Sequence, residues 1–218
     1  MAQIFSRGTN YLAKASIVGL VLLVGGASTA FGMLWWSPYR SDVGVSVQQV
    51  VPFSHEHHVS GLGLDCRYCH TSVEDSSFAG IPPTHTCMGC HSQVWTDAPM
   101  LEPVRNSYRT NTPLVWNRVH DLADFAYFNH GIHIQKGIGC VTCHGQVDQM
   151  PLMRKTNTLF MSFCVDCHRD PAKYIRPKDK VFDMAWTPDR PQSELGPELV
   201  KQYDVQTSQL IDCTVCHR

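Results

Sequence analysis

The chain has little charge and no cysteine to spare. Only 17 per cent of its 218 residues are Asp, Glu, Lys or Arg, and the formal net charge is −1. That excludes the polybasic surface that nucleic-acid binding requires, so no nucleic acid is expected among the partners. The charge balance by itself names no partner. All ten cysteines fall into C-x-x-C pairs, so none is left over for a disulfide or a free thiol.

What is abundant is one pattern. Each of the five pairs is followed at once by histidine: Cys66-x-x-Cys69-His70, Cys87-x-x-Cys90-His91, Cys140-x-x-Cys143-His144, Cys164-x-x-Cys167-His168 and Cys213-x-x-Cys216-His217. Two thiols at this spacing reach both vinyl groups of a porphyrin, and the next residue turns an imidazole onto the iron. Tetrahedral zinc sites use separated ligand pairs, without a histidine abutting every second cysteine. A redox dithiol needs one motif in a strand-and-helix setting, and five copies make no sense for it. The expected cofactors are therefore five haem c, held covalently by the ten cysteines, with His70, His91, His144, His168 and His217 as proximal iron ligands.

From Ala15 to Trp36 there is no formal charge. Those residues, as a helix, reach roughly the ~30 Å of a hydrocarbon core. Arg7 and Lys14 precede the segment and Trp35, Trp36 and Tyr39 follow it, a pattern that puts the N-terminus in the cytoplasm and an aromatic anchor at the far interface. Ser28-Thr29-Ala30 resembles a processing site, but apolar character continues through Phe31, Met33, Leu34 and Trp36. The expectation is a retained single-pass anchor over residues 1–40 in the bacterial cytoplasmic membrane, in contact with its lipid, with residues 41–218 as one periplasmic domain. C-type haem is attached on that side, so location and motif agree.

A module is duplicated. Phe53-Ser54-His55-x-x-His58 precedes the first motif and Phe128-Asn129-His130-x-x-His133 precedes the third, each followed by a glycine-containing stretch and two C-x-x-C-H motifs. The copies span about 51–91 and 126–168, and the terminal motif occupies 213–217. Between them 92–125 reads as a proline-containing connector, and a helix is expected near 193–210.

A low-spin haem iron needs a ligand on each face. His55, His58, His130 and His133 are the first choice for the distal faces, since neighbouring imidazoles of an H-x-x-H pair can serve two different haems. His120 is the fifth. Met161, Met150 and Met153 are the alternative distal donors. His57 reads as solvated and His85 as non-ligating. Six-coordinate haems leave no substrate position, so no catalytic residue is expected and the chain is not an enzyme on its own.

With roughly 36 residues per motif outside the anchor, porphyrins rather than side chains must form the core. The expected fold is mainly α with much irregular coil, one N-terminal transmembrane helix, and little or no sheet.

The H-x-x-H and C-x-x-C-H modules resemble class III multihaem cytochromes. The run Val115-Trp-Asn-Arg-Val-His120-Asp through His133, continuing into Cys140-Val-Thr-Cys143-His144-Gly-Gln-Val-Asp-Gln-Met150, is similar to the pentahaem cytochrome subunit of bacterial alternative complex III. Ile81-Pro-Pro-Thr before the second motif, Met161 before the fourth and the terminal motif extend the likeness over nearly the whole chain. The resemblance implies an electron-transfer subunit of a quinol:electron-acceptor oxidoreductase. Its implied partners are an iron–sulfur subunit, quinol-binding integral membrane subunits, a monohaem cytochrome and a periplasmic electron acceptor, either a cytochrome or an oxidase. The alternative is a self-contained, membrane-anchored quinol dehydrogenase cytochrome feeding a periplasmic reductase, although no quinol site is legible in the sequence.

Overall fold

The computed structural model describes residue 6 and residues 8–217; Arg7, one of the two cations expected to orient the N-terminus, lies outside the described residues. The chain divides into two compact units, 1–42 and 43–218.

The first unit is dominated by helix Thr9–Trp35, uncharged after Lys14 and with no side chain buried. Its 27 residues rise about 40 Å at 1.5 Å each, long and apolar enough for a membrane anchor. The helix stops because Ser37 precedes a proline and is pushed to extended geometry (φ −74°, ψ 159°). Pro38 then opens the short helix Pro38–Ser41, which Asp42 ends in the left-handed region (φ 54°).

The second unit is built from short helices and irregular chain, and its only β pairings among the described residues are three isolated bridges. Mainly helical, coil-rich and without a sheet is what the sequence led us to expect. Side-chain cores are small. One packs Ile138, Ile175, Leu195 and Leu199 against Trp186, Val200, Tyr203 and Val205. The other packs Val51, Leu101 and Val104 against Met88, Leu114 and Trp116. Large apolar side chains beside the motifs, such as Phe125 at 68 per cent and Tyr68 at 51 per cent, stay exposed to solvent. A chain that leaves so much apolar surface uncovered lacks the burial that ordinarily offsets chain entropy.

Two departures from the sequence expectation have local causes. The connector 92–125 contains a helix, Glu102–Thr110. Pro99 and Pro103 do not interrupt it, because each falls in the first turn of a helical segment, where no amide donor is needed. Asn111, left-handed at φ 51°, ends it before Pro113. The helix expected near 193–210 runs Gln192–Gln202 and stops earlier. Asp204 turns left-handed at φ 49°, and the Val205 amide reaches back to the Val200 carbonyl (3.0 Å), a Schellman-type stop.

Gln192–Gln202 packs so tightly on the turn Pro171–Lys173 that a Cβ on Gly196 would collide with the Ala172 carbonyl. Gly196→Ala should therefore destabilise the folded domain by about 1–3 kcal/mol through overpacking. Denaturant unfolding of the variant checks this, and an unchanged midpoint would contradict it.

Candidate haem sites

One helical turn carries residues i, i+3 and i+4 on one stripe, so a helical C-x-x-C-H presents both thiols and the imidazole to the same side. The five motifs meet this requirement in two ways. Cys66–Cys69, Cys140–His144 and Cys213–Cys216 are single turns whose preceding residues, Asp65, Gly139 and Asp212, are extended. The second and fourth motifs instead end the longer helices Thr84–His91 and Met161–Arg169. All ten thiols are unpaired. Burial pushes Cys140 up to about 11 and Cys167 up to about 11. Cys143 goes up to about 12, by burial and then by the neighbouring Cys167 and Cys164. Among the described residues, no three His, Cys, Asp or Glu side chains converge as a single ion site.

Hydrogen bonding orients the imidazoles. Nδ1 of His70 lies 2.7 Å from the Gly80 carbonyl, that of His91 3.1 Å from Val94, that of His168 2.8 Å from Leu210 and that of His217 2.9 Å from Phe125. A carbonyl only accepts, so Nδ1 carries the proton and donates it, leaving the Nε2 lone pair for a ligand. Three of the H-x-x-H histidines follow the same rule: His58 donates to Ser54 (2.8 Å), His130 to Ser77 (2.9 Å) and His133 to Asn129 (2.7 Å). Nδ1 of His55 is buried with no partner, an orphaned polar atom inside the site.

The two modules are near copies in space. Phe53 stacks on His58 at 4.4 Å and meets His55 edge-on at 4.9 Å. Phe128 stacks on His133 at 4.4 Å and meets His130 edge-on at 4.7 Å. The phenyl ring thus sets the angle between the two imidazoles of each pair. The second copy is laced to the first: Gly131 accepts no Cβ because one would lie 2.9 Å from the Glu74 carbonyl, and its amide donates to Ser76 (2.9 Å).

The imidazoles face one another across motifs. Ring centres of His58 and His91 are 6.3 Å apart, those of His130 and His144 6.3 Å, and those of His133 and His168 6.1 Å. A metal–imidazole bond is about 2 Å, and the ring centre sits about 1 Å further back, so two rings on opposite faces of one metal stand about 6 Å apart. His55 is an electrostatic neighbour of His70. Each H-x-x-H pair therefore reaches two motifs, and the donor set fits haem.

The fifth expected distal histidine, His120, lies beside a motif histidine: its Nε2 is 3.3 Å from Nδ1 of His144, with ring centres 4.3 Å apart. Of the methionine alternatives, Met150 is fully buried, Met153 is half-buried and Met161 is exposed at the start of its helix. His57 stacks on Trp95 (5.7 Å) and His85 lies against Tyr108 (6.0 Å). The terminal motif is tied to the start of the second module, the Tyr127 amide donating to the Cys216 carbonyl at 2.7 Å. The distant carbonyls that hold His130, His168 and His217 have no sequence signature. The phenylalanine of each module does, in its fixed place two residues before the first histidine.

Paired thiols, imidazoles with Nδ1 committed to carbonyls, and ring pairs about 6 Å apart are the donor set that a multihaem cytochrome of the c type requires. Residues 132–218, which contain the last three motifs, match the family described as cytochrome c3. The chain is also 29 per cent identical, over 201 residues, to a protein of Nitratidesulfovibrio vulgaris named "Menaquinone reductase, multiheme cytochrome c subunit". The match covers 92 per cent of this chain and 78 per cent of that one.

Burial also holds the imidazoles neutral. It lowers His144 from the usual 6.5 to about 3, with His120 and His130 adding to the effect. His55 is lowered to about 4, by burial and then by His70. Burial and then Lys155 lower His120 to about 4.

Proposed function

We propose that the chain carries five haem c groups and relays electrons as a subunit of a membrane quinone oxidoreductase, with its haem domain on the periplasmic side. The observation that carries this reading is the set of imidazole pairs about 6 Å apart, His58 with His91, His130 with His144 and His133 with His168. His55 with His70 is the fourth pair, supported by their electrostatic proximity. For the terminal motif, the engagement of His120 with His144 favours a methionine, and the exposed Met161 is the one of the three not packed into protein.

Haem c, when bound, supplies a one-electron ferric/ferrous couple. The residues of this chain do the rest. The ten cysteines fix each porphyrin edge, and the carbonyl-anchored histidines hold Nε2 in place without reorganisation. The H-x-x-H pairs keep neighbouring centres close, because two ligands three residues apart share one short helix or turn, Glu56–Gly61 in the first module and His130–Gln135 in the second. Where two imidazoles would hold one iron, no open position would remain there for substrate.

The apolar helix Thr9–Trp35 supports anchoring in the cytoplasmic membrane. The sequence likeness to the alternative complex III subunit supports quinol oxidation, with an iron–sulfur subunit, quinol-binding membrane subunits, a monohaem cytochrome and a periplasmic acceptor as partners. The name of the Nitratidesulfovibrio vulgaris relative supports electron flow the opposite way, toward menaquinone. Both use the same relay. Purification in mild detergent, followed by addition of either a quinol or a reduced periplasmic cytochrome, separates the two directions by which donor reduces the haems.

His130→Ala should turn one of the five haems high-spin while leaving covalent haem stoichiometry unchanged. Electron paramagnetic resonance of the oxidised protein reads this directly, and an unaltered low-spin spectrum would refute the assignment of His130.

A further inference from the structure

His120 is the one histidine outside the motifs and H-x-x-H pairs whose ring nitrogen meets a motif histidine. Its Nε2 lies 3.3 Å from Nδ1 of His144, edge to face at 72°. The other four motif histidines each give Nδ1 to a backbone carbonyl. His144 therefore differs from them in the acceptor of its Nδ1 proton. On its other side His130 stands parallel, with 9° between the planes and 6.3 Å between ring centres.

Resting on the haem reading above, we propose that His120 is a positioning residue for His144: it accepts the Nδ1 proton and so sets the donor strength of the imidazole facing the third haem. If Nε2 of His144 is given to iron, Nδ1 must carry the proton, and Nε2 of His120 must then accept it. An imidazole nitrogen is a basic acceptor, whereas an amide oxygen is not. The bond draws the proton further from His144 and gives its ring more imidazolate character. A more basic axial ligand stabilises the ferric state, and hydrogen bonding behind the ligand is one of the recognised levers on haem potential. His120 thus holds the third haem at a lower potential than a carbonyl acceptor would. The bond also fixes the ring plane of His144, which accounts for its alignment with His130.

The test compares His120→Phe and His120→Gln in the haem-loaded, detergent-extracted full chain, reading haem stoichiometry, spin state and the midpoint potentials in a spectroelectrochemical titration. His120→Phe should keep all five haems low-spin and move one midpoint potential upward. In His120→Gln the side-chain carbonyl can accept the same proton but is less basic, so that midpoint should fall between the wild-type and His120→Phe values. A high-spin ferric signal in either variant would make His120 an iron ligand and overturn the proposal. So would a set of midpoints unchanged in both variants. Absence of covalent haem from the wild-type chain would instead remove the haem reading itself, a result distinct from either. Should the phenylalanine variant fail to accumulate, the glutamine variant alone still decides between low-spin retention and a high-spin signal.

Discussion

The organisation of this protein depends on a single kind of bond, a histidine Nδ1–H given to a fixed acceptor. Seven imidazoles donate to backbone carbonyls between 2.7 and 3.1 Å. Each such bond costs little and fixes two things together, the tautomer and the direction of Nε2. Because the acceptors of His130, His168 and His217 come from residues 42 to 92 positions away, the same bonds that aim the ligands also draw the chain together. In a domain whose buried side-chain clusters are small, ligand orientation and folding become one problem.

The duplicated module is the economical solution to it. A phenylalanine two residues before the first histidine stacks on the second and meets the first edge-on, in both copies and at nearly the same distances. The aromatic ring is a spacer that splays two imidazoles toward two different motifs. Repeating this unit, rather than enlarging a hydrophobic core, lets a chain of this length hold so many sites at close quarters. Burial of the imidazoles, which disfavours their charged form, follows from the same close packing around the motifs.

Much of this was legible in the sequence, for physical reasons. The spacing of C-x-x-C-H encodes one helical turn, and the F-x-H-x-x-H repeat encodes an angle, so motif and module could be read directly. The scarcity of sheet followed from the small number of residues available per motif. Less legible were features that depend on distant partners. The helix Glu102–Thr110 hid behind Pro99 and Pro103, which sit where a first turn tolerates them. The contact of His120 with Nδ1 of His144 joins residues 24 positions apart and has no sequence signature. Arg67, beside the first motif, is engaged with Asp65 (2.8 Å) and Glu74 (3.8 Å), the second of them seven residues away.

The central claim is chemical: all ten thiols are consumed in bonds to porphyrin. Intact-mass measurement of the chain purified from its native membrane, with and without a thiol-alkylating reagent, tests it most directly. The account predicts five haem increments on the polypeptide and no alkylated cysteine. A polypeptide of unmodified mass whose cysteines all take up the reagent would contradict it.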